Sequence, residues 1–572
     1  MAYLLKSCAA IIRSAYLPVL TDHDLLIEGP AISAIGPNLS AGPLPAGTEV
    51  IDARGWFVYP GLVNTHHHFF QTFVRNRADL DWTKLSVIQW LDRIYPIFAR
   101  LTEDAFYHSS VVALAELVKH GCTTAFDHQY NFPRHAGSRI VDRQFQAAEL
   151  FGIRFHAGRG ANTLPKSEGS TIPDEMLETT DGFLADCDRL IGSYHDAGKF
   201  SLRQVAIAPC QPVNCYRETF VESARLARDK GVLLHSHVGE GESPVMLART
   251  GRRTVDYLEE MGFCGPDTWY AHAWELSHGE LAQLATSQTG VSHCPEPVYL
   301  VGAEVTDIPA MQALGVRLGL GVDGAASNDN SNLMHCIHSA YMLQCLVAST
   351  RQHPVPDPAD FLHYATQGGA DLLGRKDIGT LLPGLAADLF AIDTRKLDYV
   401  GTRHDPVSLI AKVGVGTATD MTMVNGRIVW RDGAFPGLDE GRLFAEAEAA
   451  HGTHLLFELT GESCLDGQVP RIVRPRGQLV QVVPPVDPGV PAAGDLQLVL
   501  DPVLLEQLQI GLGNHACLGQ RAVFRRDDAR MHTQVAMQAQ GGHDRRRARP
   551  LPSVRRAGAG RRSAGRRQGA AG

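Results

Sequence analysis

Short alternating runs open the chain. Residues 1–57 place apolar side chains at every second position between Gly- and Pro-rich turns such as AGPLPAG, the period of half-buried β-strands. From 58 the pattern changes. Apolar, β-branched runs recur: FVYPGLVNT (57–65), TTAFD (123–127), IRFHA (153–157), VAIAP (205–209), VLLHSHV (232–238), TWYAH (268–272), GVSHC (290–294) and LGLGVD (318–323). Between them lie stretches with an apolar face at helical spacing, such as EDAFYHSSVVALAELVKHG (103–121). Eight strands separated by helices predict an α/β fold, a (β/α)8 TIM barrel over 58–370. The strand pattern returns in ADLFAID and MTMVNGRIVWRDG. Strands on both sides of a barrel predict one small β-sandwich domain built from both chain ends, 1–57 and 371–458, with a helix near 439–451.

The last stretch, 459–572, differs. It is rich in Pro, Gly, Gln and Arg, and is expected to be largely disordered, 541–572 above all. A few helical turns are expected in LQLVLDPVLLEQLQ (496–509). The run GLGNHACLGQ, with Gly511, Gly513, His515, Cys517 and Gly519, resembles the haem-thiolate loop of cytochromes P450. The tail is too short for such a fold and lacks a Glu-x-x-Arg brace, so no activity is assigned to it.

Charge and cysteine content narrow the class. The net charge is −9, and ten Arg against one Asp in 541–572 leave the first 540 residues at −18. Nucleic acid is therefore not an expected partner of the core, although the arginine tail could hold an acidic surface. Eleven scattered Cys without a Cys-x-x-Cys pair fit a reducing cytoplasm. The N-terminus superficially resembles a signal peptide, but Arg13 interrupts the apolar run and alternation resumes in LLIEGPAISAIG. No uncharged apolar run has the length of a transmembrane helix.

In a (β/α)8 barrel, active residues sit at the C-terminal strand ends. Strand one ends with His66 and His68, strand five with His237 followed by Glu240, strand six with His272, strand seven with His293 and strand eight with Asp323. Alternation puts His66 and His68 on one face. His66, His68, His237 and Asp323 offer three imidazole nitrogens and a carboxylate, a set suited to Zn²⁺ or Fe²⁺. A metal held there activates water as a nucleophile. Glu240 is the expected proton shuttle, and His272 orients the attacking water. Asp323 both binds metal and accepts a proton. His235 is expected behind the ligands, His67 is structural, and His293 is open between site and core. Strand four ends APCQPVNC, without the Lys that bridges two metals, so one metal per chain is expected.

The motifs PGLVNTHHH, HVGE, YAH, HCP and GVDGAASN, with IGTLLPGLAADLFAID and VNGRIVWRDG in the β-domain, resemble the amidohydrolase superfamily over about 1–455. The resemblance is to its mononuclear aminohydrolase branch. HHHFFQTFVR, IYPIFARLT, ALAELVKHGCTTAFDH and RTVDYLEEMGF most resemble 8-oxoguanine deaminases. The resemblance implies hydrolytic deamination of an amino-oxo heterocycle, with water as co-substrate and ammonia released. It makes Gln71 and Arg159 candidate substrate-binding groups and implies a homo-oligomer. Two departures bear on the substrate: HCPEPVYLVGAE replaces HCPxSN, and VGEGESP replaces the commoner LAET. 8-Oxoguanine is the first expectation. Isocytosine, isoxanthopterin, or an s-triazine losing an alkylamine or chloride are the alternatives, and a non-catalytic binding protein is a further one.

Overall fold

Eight parallel strands form the barrel in chain order: Leu62–Asn64, Cys122–Gln129, Arg154–Arg159, Arg203–Ile207, Leu233–Val238, Thr268–His272, Gly290–His293 and Leu318–Leu320. They are numbered one to eight below. The computed structural model describes residues 1–77, 85–301, 304–351 and 354–460, and beyond these only five short strands between 472 and 532. The barrel strands are buried along nearly their whole length, which is why they read as apolar runs and not as strict alternation. Helices such as Glu103–Lys119, Ile140–Phe151 and Thr180–Tyr194 separate them.

The barrel closes at the seam between strands one and eight. Thr65 N–H donates to the Leu320 carbonyl (3.0 Å) and Asp323 N–H to the His66 carbonyl (3.1 Å). A short parallel ladder pairs Asp323 with His67 and Gly324 with His68. Gly321 makes this approach possible, because a Cβ there would lie 2.6 Å from His66 Cβ. The seam carries three of the expected metal ligands to one point.

The FVYPGLVNT run is divided in the structure. Trp56–Pro60 pairs with Leu389–Asp393 and Ala10–Ile11 in a five-stranded sheet, and the barrel begins only at Leu62. Both pieces are fully buried, so hydropathy alone does not show the break. That sheet is completed by Met421–Val424 and Arg427–Arg431, and therefore draws on both chain ends. A four-stranded sheet of Ala31–Gly36, His23–Glu28, Ala2–Cys8 and Thr48–Asp52 shares its core through Leu5, Ile27, Val58, Leu389 and Met421. The C-terminal helix runs Glu440–Thr460, longer than its sequence pattern suggested.

The chain forms two compact units, Met1–Glu462 and Ser463–Gly572. In the second unit Leu496–Leu498 is a strand paired with Ala522–Asp527, where helical turns were expected. Short apolar runs fit either period, which accounts for the difference. The rest of that run, the Gly511–Gly519 motif and 541–572 lie outside the described residues. Among the described residues, no helix is long and apolar enough to cross a membrane.

Candidate metal centre and active site

His66, His68, His237, His272 and Asp323 converge at the C-terminal mouth of the barrel, all buried. His66 Nε2 and His68 Nε2 lie 3.3 and 3.2 Å from Asp323 Oδ1. His237 Nε2 lies 3.0 Å from His68 Nε2. The tautomers follow from what stands behind each ring. His68 Nδ1 meets the His128 carbonyl (2.8 Å) and His237 Nδ1 the Cys210 carbonyl (2.8 Å). A carbonyl only accepts, so both Nδ1 atoms carry hydrogen and both Nε2 atoms present lone pairs. His66 is oriented through a second imidazole. His235 Nδ1 donates to the Trp269 carbonyl (3.0 Å), so His235 Nε2 accepts from His66 Nδ1 (2.9 Å). His66 Nε2 is then also a lone pair, and it is buried without a hydrogen-bond partner.

Three lone pairs and a carboxylate oxygen thus face one another in a buried space. Protons do not relieve the repulsion, because burial holds His66 down to about 4 and His237 well below the usual histidine range. Burial by itself would raise the Asp323 carboxyl. A carboxylate facing these lone pairs needs a cationic partner, and a bound cation would supply it. The donor set fits a divalent cation. Asp323 Oδ2 accepts from Ser327 Oγ (2.9 Å), which leaves Oδ1 for the centre. The backbones of His272 (φ 75°) and Asp323 (φ 66°) lie in the left-handed region, a strain of ~1–3 kcal/mol each that is typical of functional positions.

Glu240 stands over this group. Its Oε1 is 3.5 Å from His272 Nε2 and its Oε2 accepts from Gln211 Nε2 (2.8 Å). Burial, and then the charges of Asp323, Glu242 and Glu275, push its carboxyl well above the usual range. A carboxyl that keeps its proton near neutrality is suited to donate one. The unusual VGEGESP segment builds the turn that presents it. Gly239 has φ 70°, and Glu242 accepts the backbone N–H groups of Gly239 and Glu240 at 2.6 Å each. Gln71, Trp90, Leu91, Tyr95, Tyr130, Cys210, Gln211 and Ser327 complete the cavity with His68, His237, Glu240 and Asp323. A larger cavity, about 630 Å³, lies elsewhere, between Glu103–Lys119 and Glu440–Thr460, and contains none of these groups.

The other expected residues fall in different places. Gln71 lines the cavity, its Oε1 accepting from Ala326 N–H (3.2 Å). Arg159 does not line it. Its guanidinium donates to both Glu178 oxygens (2.8 and 2.6 Å) and to Asp186 (2.8 Å), and lies 3.6 Å over the Phe132 ring. A cation this deep requires paired anions, and these acids supply them. Arg159→Met is expected to lower stability by ~3 kcal/mol, because it leaves Glu178 without a cation and Asp186 with Arg189 alone, and to leave KM unchanged. Chemical denaturation and steady-state kinetics check both halves. His67 bonds Ser331 Oγ (2.9 Å) and His68 N–H (2.7 Å), outside the cluster. His293 is buried without partners on either ring nitrogen, and burial holds it down to about 3. It neither joins the ligand cluster nor lines the cavity.

The HCPEPV departure is explained locally. Glu296 is buried and accepts from Ser339 Oγ (3.0 Å) and His335 Nδ1 (2.8 Å). It braces the helix Pro295–Val301 against the segment after strand eight and does not line the cavity. Sequence reasoning missed His128, Cys210 and Gln211. His128 stands at the end of strand two and Gln211 in the segment after strand four, where the rule that offered the candidate ligands would have found them.

Fold and site together define a metal-dependent hydrolase built on a (β/α)8 barrel. The amidohydrolase family model matches residues 57–429, and the chain belongs to that family. It is 60% identical over 440 residues to a hydroxydechloroatrazine ethylaminohydrolase from Pseudomonas sp. (strain ADP), covering 76% of this chain and 91% of that one. It is 40% identical over 418 residues to the 8-oxoguanine deaminase of Pseudomonas aeruginosa, covering 72% and 91%. Among solved structures, the atrazine chlorohydrolase of Arthrobacter aurescens TC1 complexed with zinc superposes with a TM-score of 0.73 at 28% identity, covering 78% of this chain and all of that one. The chain is a hydrolase acting on carbon–nitrogen bonds, and its buried histidine cluster, like the zinc-bound relative, supports a divalent metal.

Proposed function

We propose that this protein removes an alkylamine from a hydroxylated s-triazine by hydrolysis, using one zinc ion held by His66, His68, His237 and Asp323. The observation that carries the substrate is the 60% identity to an ethylaminohydrolase of that class along nearly its whole length. The lining is compatible with it: around a space of about 20 Å³, Trp90, Leu91, Tyr95 and Tyr130 offer aromatic and aliphatic surface and Glu240 and Asp323 offer polar groups, and these side chains must move apart to admit a ring and a short alkyl arm. Zinc at this site lowers the pKa of a coordinated water to about 7.

The chain's own groups do the rest. His272 and Asp323 orient the water, and Asp323 takes its proton. Glu240 protonates the ring nitrogen beside the amine-bearing carbon as the new C–O bond forms. Proton return to the exocyclic nitrogen then breaks the C–N bond and releases the amine. Ring, hydroxyl and departing amine balance without a redox partner. 8-Oxoguanine is the second reading, favoured by the 40% identical deaminase. It presents the same amino-oxo edge, with ammonia as the product.

Release of amine from 2-hydroxy-4-ethylamino-6-alkylamino-s-triazine, 8-oxoguanine, isocytosine and isoxanthopterin decides between them, with metal measured on the same sample. The triazine is expected to exceed the others in kcat/KM by at least ~100-fold, the discrimination available to a site that pairs its polar groups with one ring only. Preference for 8-oxoguanine would overturn the first reading in favour of the second.

A further inference from the structure

Gln211 stands in the segment that follows strand four, is 2% exposed and lines the cavity. Its amide makes one bond: Nε2 donates to Glu240 Oε2 at 2.8 Å. The other end, Oε1, is buried and has no partner. An amide oxygen shut away from water without a donor is costly, and structures rarely keep one without use. Its neighbours do not supply a donor. Glu240 accepts from Nε2 on Oε2 and makes no bond to Oε1, and among the described residues Tyr95, Tyr130 and Cys210, which line the same cavity, make none either. The group therefore faces the substrate with an empty acceptor beside the proton-carrying carboxyl.

We propose that Gln211 sets specificity by accepting an N–H of the heterocycle through Oε1, while Nε2 holds Glu240 in line with the ring nitrogen it protonates. The proposal rests on the aminohydrolase reading. It adds the residue that recognises an amino substituent flanking that ring nitrogen. Both bonds belong to one planar amide, so placing the substrate N–H and placing the Glu240 carboxyl are geometrically the same event. A ring that lacks the N–H leaves Oε1 unpaired and loses affinity. A side chain that lacks Nε2 leaves Glu240 free to rotate, and the loss falls on kcat.

The test uses zinc-loaded full-length enzyme and substrates that differ in one N–H. In one pair the retained alkylamino group is replaced by alkoxy. In the other the departing ethylamino group carries an added N-methyl. The wild type is expected to prefer the N–H substrate of one pair by roughly ten- to a hundredfold in kcat/KM. Gln211→Met should lose that preference and also fall in kcat. Gln211→Glu, which keeps an acceptor and loses the donor, should retain the preference while kcat falls. Metal content and melting temperature certify the variants. If Gln211→Met is too slow to assay, calorimetric binding of the same pairs asks the same question.

Equal N–H preference in the wild type and in Gln211→Met would overturn the acceptor role. Unchanged kcat in Gln211→Met would overturn the role towards Glu240. Turnover of the parent triazine by the wild type reports the substrate reading separately. If 8-oxoguanine is the compound hydrolysed, the comparison is made with 8-oxoguanine and its derivative methylated on the exocyclic amine.

Discussion

His237→Ala is expected to yield a folded protein that no longer retains zinc through dialysis and whose turnover falls by at least ~10³-fold, since Lewis-acid activation of water contributes several kcal/mol. The reason is geometric. His237 Nε2 faces His68 Nε2 at 3.0 Å, with its own Nδ1 fixed on the Cys210 carbonyl, so its lone pair has no use except to bind a cation. A packed histidine of the same burial would behave differently: its loss would lower stability and leave metal content intact. Metal analysis of dialysed wild type and variant, with circular dichroism as a folding control, separates the two. A variant that still holds a full metal complement would remove His237 from the ligand set.

Glu240→Gln should retain the metal and lose ~10²–10⁴-fold in kcat, the range of a lost general acid or base. KM should change little, because the amide keeps the shape of the carboxyl and can still meet Gln211. The carboxyl is held well above its usual range by burial and by Asp323, Glu242 and Glu275. The proton it carries is therefore available near neutrality, and its removal as pH rises should draw down the wild-type rate. The Gln variant should lack that alkaline limb. Full rate in Glu240→Gln would assign proton transfer to Asp323 or His272.

Much of this was legible in the chain. The barrel was visible because each strand is a buried run bounded by helical spacing, and the candidate site because His-x-His, HVGE, YAH and GVD stand at strand ends. Periodicity was blind where burial is complete on both sides of a break. FVYPGLVNT reads as one strand, yet Trp56–Pro60 pairs in the outer sheet and Leu62–Asn64 in the barrel. Arg159 shows the other limit. A motif offered it as a substrate group, but only the fold reveals Glu178 and Asp186 behind it.

The sequence by itself determined the class, and it offered the candidate metal-ligating and proton-transferring groups at their strand ends. These follow from side-chain chemistry and a period of two, both local properties. Only the tertiary structure decided how the groups are prepared. Three backbone carbonyls, from strand two, the segment after strand four and strand six, the last acting through His235, fix the tautomers that turn three Nε2 lone pairs inward. Seam closure brings Asp323 to His66 and His68, and burial keeps His66 neutral. Those depend on contacts between residues tens to hundreds of positions apart, where distance along the chain carries no information about distance in space.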